Sequence, residues 1–195
     1  MKIQHILTAA ALLGIGLSAQ AVTLNYTFQE NGTGTLGASS TFTEGGYSIV
    51  ATGVGDTLYG KNLGAGETGL GVTSDFDHEI NANGWVQLDV SQLIGSSLAT
   101  IFLSSIQAPD TAKVYFSDTA GTLGTLISTL TTDGSLDITS YLSHRYIDVT
   151  AGAGNVLVAG LTATIPNRVP DGGTTVAMLG GALTALGLIR RKLSA

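Results

Sequence analysis

The chain has 195 residues, no cysteine, 11% charged residues and a formal net charge of −6. The lack of cysteine excludes disulfides, zinc–thiolate centres and cysteine nucleophiles, and the charged fraction is far below the roughly 25% of ordinary soluble domains. Lys2, Arg190, Arg191 and Lys192 sit at the two ends, so the rest of the chain sets Lys61, Lys113, Arg145 and Arg168 against 14 acids, a charge of −10 that repels nucleic-acid phosphates.

Residues 1–21 are predicted as a secretory signal peptide. Lys2 supplies the positive start, residues 6–17 the apolar stretch, and Ala19-Gln20-Ala21 an A-x-A cleavage site with Ala19 and Ala21 as its small residues. Val22 is the expected mature start, with the secretion translocon and signal peptidase as partners.

Residues 22–166 are predicted as an all-β domain. Leu24, Tyr26 and Phe28 alternate with polar residues, and so do Val86, Leu88 and Val90. Val114 and Phe116, Ile147 and Val149, and Leu161, Ala163 and Ile165 repeat the pattern. A period of two marks strands with one buried face. Ile101-Phe102-Leu103 and Val156-Leu157-Val158 are continuous apolar runs, expected in the centre of a core. Asn31-Gly32, Gly45-Gly46, Asn83-Gly84, Pro109-Asp110 and Asp133-Gly134 punctuate the strands as turns. Residues 31–44 read as an exposed hairpin or loop. Many short strands at regular spacing give an antiparallel β-sandwich, with a jelly roll as the expected topology.

The densest polar cluster is Asp75-Phe76-Asp77-His78-Glu79. Asp75, Asp77 and Glu79 are the candidate calcium ligands, because Ca²⁺ takes several carboxylate oxygens. The EF-hand continuation is missing, and a solvated acidic loop is the competing reading. No Gly-x-Ser-x-Gly elbow or phosphate-binding loop is present, so no catalytic residue is assigned and the protein is expected not to be an enzyme. Trp85, Tyr47, Tyr59, Tyr115, Tyr141 and Tyr146 are candidates for stacking on sugars; for Trp85, packing at a sheet edge or in the core competes with that role.

Residues 167–195 form the tail. Val169-Pro170-Asp171-Gly172-Gly173 is turn-rich, residues 174–189 carry no charge, and Arg190, Arg191 and Lys192 follow. A single transmembrane helix is expected over about 174–189, with the basic cluster as its stop-transfer signal on the cytoplasmic side. A short Pro-containing motif, an apolar helix and a basic end resemble the PEP-CTERM class of sorting tails. Val169 to Gly173 is similar to the VPDSG variant of that class, with Gly172 in place of its serine. The resemblance implies export, transient anchoring in the inner membrane and processing by an exosortase-type membrane enzyme. It further implies delivery to the cell surface or extracellular polymeric material. Tyr59-Gly60-Lys61-Asn62-Leu63, Gly69-Leu70-Gly71-Val72 and Asp75 to Asn81 resemble the middle of many proteins with such tails, which transfers no activity. Three functions follow as expectations: a structural or adhesive surface protein; a carbohydrate- or calcium-binding module, with extracellular polysaccharide as partner; and, third, a hydrolase of extracellular polymer.

Overall fold

The computed structural model describes residues 20–28, 33–64, 66–74, 76–166, 180–184 and 190. Ala21–Pro166 is one compact unit, and Met1–Gln20 with Asn167–Ala195 is another. Among the described residues of Ala21–Pro166, thirteen strands form two antiparallel sheets, the sandwich expected from the period-two pattern.

The first sheet contains β1 (Val22–Thr27), β2 (Gly34–Gly37), β5 (Leu58–Asn62), β6 (Thr68–Val72), β8 (Leu98–Ser104), β11 (Gly134–Asp137) and β13 (Leu157–Ile165). Its order is β11-β8-β13-β6-β5-β2. The long β13 carries β8 along one edge and, end to end on the other, β6 at Val158 and β1 from Gly160 to Ile165. The second sheet contains β3 (Ser39–Glu44), β4 (Tyr47–Val54), β7 (Trp85–Asp89), β9 (Thr111–Ser117), β10 (Thr125–Leu130) and β12 (Tyr146–Ala153), in the order β10-β9-β12-β7-β4-β3.

The core lies between the sheets. Leu24, Phe28, Leu70, Ile101 and Leu161 from one sheet and its flanks join Ile49, Val86, Leu88, Val114, Ile147 and Val149 from the other, all fully buried or nearly so. Phe28 meets Phe42 edge-on, with ring centroids 4.8 Å apart at 69°, which ties β1 to β3 across the core. Burying such side chains contributes about 1.5–3 kcal/mol each and drives the assembly.

Three expectations change. Phe102 is 38% exposed although Ile101 and Leu103 are buried. Alternation along β8 turns the middle residue of this apolar run to the outer face, so the run is not buried on both sides. Residues 33–44 do not form one hairpin: β2 pairs β5 in the first sheet while β3 pairs β4 in the second. The chain therefore changes sheets at Ala38, whose carbonyl accepts the Gly53 N–H at 3.0 Å. Trp85 is neither at an edge nor in the core. It is half-buried on the outer face of β7, between β12 and β4.

The Gly69-Leu70-Gly71 step has a steric cause. Leu70 enters the core, and the two glycines allow backbone to approach the sheet closely. A Cβ at Gly69 would collide with the Val158 carbonyl, and one at Gly71 with the His78 carbonyl. Gly71→Ala is expected to destabilise by more than about 3 kcal/mol, because the obstacle is backbone and cannot rotate away. Gly134→Ala, where space is open, serves as the near-neutral control in thermal melts.

In the other unit, residues 180–184 are helical, and Thr184 Oγ1 donates to the Gly180 carbonyl at 2.7 Å. The rest of the span expected at 174–189 lies outside the described residues, as do residues 1–19. Among the described residues no helix is long and apolar enough to cross a membrane.

Candidate functional site

On β7 and β12 the residues between core positions face outward: Trp85, Gln87 and Asp89 on one, Tyr146, Asp148 and Thr150 on the other. The register places Gln87 between Asp148 and Thr52, and Asp89 between Tyr146 and Val50. Tyr115 of β9 extends the first row beyond Asp148.

This outer face is partly roofed. Residues 118–124, which connect β9 to β10, fold back over it. The Gly121 N–H donates to Gln87 Oε1 at 2.8 Å, and Gln87 Nε2 donates to Asp148 Oδ1 at 2.8 Å. Gln87 thus latches the loop to the sheet through both ends of its amide. Under the latch Asp148 is fully buried, and its Oδ2 has no hydrogen-bond partner. Burial pushes its pKa up to about 7, with the Gln87 hydrogen bond opposing the rise.

Beside the loop lies a groove of about 530 Å³, bounded by β4, β7, the 120–121 turn and the start of β12. Val50, Thr52, Gln87, Asp89, Arg145 and Tyr146 line it. Arg145 Nε and Nη2 both donate to Asp89 Oδ2, at 3.0 and 2.9 Å, and Asp89 Oδ1 accepts the Ser91 N–H at 3.0 Å. Burial alone would raise the Asp89 pKa, but the Ser91 and Arg145 hydrogen bonds outweigh it and hold the carboxyl below its usual range. The Arg145 guanidinium lies 5.1 Å from the Tyr146 ring centre. Behind it, Asp118 accepts the Arg145 backbone N–H at 3.0 Å and lies 2.8 Å from His144 Nδ1. The His144 and Arg145 contacts hold Asp118 below the usual carboxylate range. A smaller cleft of about 110 Å³ opens between β1 and β3.

The acidic cluster read from the sequence is arranged differently. Glu79 is buried; its Oε1 lies 2.5 Å from Lys61 Nζ and accepts the Ser105 hydroxyl at 2.9 Å. Asp77 is exposed, and Asp75 lies outside the described residues. Among the described residues, no group of three or more His, Cys, Asp and Glu side chains could hold a metal ion. His78 adopts φ 58° and stacks on Tyr59 with centroids 4.1 Å apart.

The aromatic candidates do not share one face. The Tyr47 carbonyl accepts the Tyr26 hydroxyl, Tyr59 carries His78, Tyr141 stacks on Phe116, and Tyr146 lines the groove. Gln87, Asp89, Asp118, Arg145 and Asp148 were not singled out by the sequence. The available signal was a polar residue between two core positions, Gln87 between Val86 and Leu88 and Asp148 between Ile147 and Val149. Such residues normally face water, and nothing local announces the loop that covers them.

Ala21 is exposed immediately before β1; Ala19 lies outside the described residues, as do Val169, Pro170, Asp171, Gly172, Gly173, Arg191 and Lys192. Arg190 is helical and exposed. No curated protein and no solved structure matches the chain. A family model does match at the tail. A tail of this kind indicates an exported, membrane-transiting protein that is sorted by an exosortase-type membrane enzyme to the cell surface or extracellular space. The match covers residues 168–193 and is described as the VPDSG-CTERM motif, so the end of this chain is a sorting tail of the VPDSG-CTERM kind.

Proposed function

We propose that this is a structural or adhesive protein of the cell surface or extracellular matrix, whose β-sandwich is displayed after the tail is processed. The observation that carries the reading is the VPDSG-CTERM match at residues 168–193 behind a separate compact unit, Ala21–Pro166. Export, transient residence in the inner membrane and removal of the tail would leave the sandwich as the working part.

A binding role is supported over a hydrolytic one. Asp148, the carboxyl with a raised pKa, is fully buried and does not line the groove. It is not placed to hand a proton to a ligand, and Asp89 is held by Arg145. General acid catalysis needs the acid within hydrogen-bond reach of the reacting group.

The test is processing in the native host. Replacing Pro170 and Asp171 by Ala is expected to leave full-length protein in the inner membrane, with little or none at the surface. Intact mass of the membrane and extracellular fractions reads the result. Normal processing of the double variant would refute the sorting role of the motif.

A further inference from the structure

We infer that the groove on the outer face of the second sheet binds a segment of neutral polysaccharide. This rests on the adhesive reading of the exported domain and names the surface and ligand chemistry it would use.

The size fits. About 530 Å³ lies within the roughly 300–1,000 Å³ range of small-ligand clefts. The wall is held before any ligand arrives, because Gln87 ties the 118–124 loop to the sheet: its Oε1 accepts the Gly121 N–H at 2.8 Å and its Nε2 donates to the Thr119 carbonyl at 3.5 Å. Little ordering is then needed on binding, which favours affinity.

The lining offers the two contacts a pyranose chain uses. Val50, Val54 and the Tyr146 ring present apolar surface to the C–H faces of the sugar. Thr52, Asp89 and Arg145 present donors and acceptors to its hydroxyls. Asp89 takes only Nε and Nη2 of Arg145, so further guanidinium N–H groups face outward from a side chain that is 58% exposed. At Gly121 backbone rather than a side chain forms the rim, where an added Cβ would meet only Val54 Cγ1, at 4.0 Å, so a sugar ring can approach closely.

Charge decides between neutral and acidic chains. Among the described residues, Arg145 is the one cation that lines the groove, and Asp89 neutralises it at 2.9 Å. Outside the two ends the chain carries −10. A polyanionic chain would be repelled by that field and would find no unpaired cation in the groove.

The experiment uses the full chain in a zwitterionic detergent without a sugar headgroup. Cellohexaose, maltohexaose and mannohexaose are titrated by calorimetry, with hexagalacturonic acid as the charged comparison. Trp85 is the sole tryptophan and pairs with Val54 at the groove, so its fluorescence provides a second readout. Saturable binding of at least one neutral hexasaccharide is expected. Thr52→Arg, which fills the groove, and Arg145→Gln, at an exposed position, should each weaken it at least tenfold without a large change in Tm. If Thr52→Arg fails to fold, Arg145→Gln alone carries the test. No binding of any neutral probe, a preference for hexagalacturonic acid, or binding unchanged in the folded variants would overturn the groove. Binding of the wild-type chain to polymer extracted from the host separates the two levels. If it persists while the groove variants have no effect, adhesion stands and the groove falls. If it is absent together with probe binding, both fall.

Discussion

Replacing Asp148 by Asn is expected to stabilise the domain at pH 8 by about 4 kcal/mol. Asp148 is fully buried, and its pKa is raised from 3.8 to about 7. In the unfolded chain the carboxyl loses its proton near pH 4; in the folded chain it keeps it until about pH 7. Stability from this group is therefore complete below about pH 4, declines as pH rises toward 7, and is fully lost above that. Three pH units at about 1.4 kcal/mol each give the magnitude. Asn imitates the protonated acid. Its amide oxygen accepts from Gln87 Nε2, and its NH₂ replaces the carboxyl oxygen that has no partner. The variant should melt within about 1 kcal/mol of wild type at pH 4 and roughly 10 °C higher at pH 8. Asp56, Asp89, Asp118 and Asp137 have lowered pKa values, so their contributions are lost only as pH falls below about 4. The wild-type optimum should thus lie near pH 4–5. A wild-type melting curve that is flat from pH 4 to 8 would sink this account.

How much of this was legible in the sequence depends on the range of the interaction. Alternating patterns at Leu24, Tyr26 and Phe28, or at Ile147 and Val149, report a local fact, that one face of a strand is dry, and they foretold the two-sheet sandwich. The pattern is blind to what lies over the other face. Asp148 and Phe102 both interrupt or extend apolar runs, yet one is sealed beneath residues 118–124 and the other stands in solvent. Only the long-range return of that loop separates the cases. Residues 33–44 split between the two sheets for a related reason. Gly and Thr there suggest a turn, whereas the strand partners that settle the matter, β5 and β4, come later in the chain. The groove is harder still to foresee, because Thr52, Asp89 and Arg145 come from three segments. The tail was readable outright, since its three parts are contiguous.

Lys61→Met is expected to destabilise the domain by about 3–5 kcal/mol, a large share of the 5–15 kcal/mol typical of a whole domain. Lys61 and Glu79 are both about 95% buried, with Nζ and Oε1 2.5 Å apart. Burial works against the Lys61 charge, but hydrogen bonds to Glu79 and Glu67 outweigh it and raise its pKa. Removing the ammonium leaves Glu79 buried with only the Ser105 hydroxyl, and that stranded carboxylate is the source of the loss. Glu67 is different. It is half exposed at 3.1 Å, so Glu67→Gln should change stability by less than about 1 kcal/mol. Replacing both buried partners, as Lys61→Met with Glu79→Leu, should recover most of the loss, apart from about 1 kcal/mol for the Ser105 hydroxyl left without its acceptor. A double-mutant cycle by denaturant melts measures the coupling directly. Losses that merely add would mean the pair does not act as a unit. The same cycle gives the middle pattern a physical meaning. Tyr59 stacks on His78, Lys61 pairs with Glu79, Gly71 makes room for the His78 carbonyl, and Ile80 bridges Val156. Those contacts clamp the segment after β6 onto β5 and β6, in the first sheet, whereas the groove lies on the second. At a temperature where Lys61→Met is still folded, its affinity for a neutral hexasaccharide should therefore equal that of wild type.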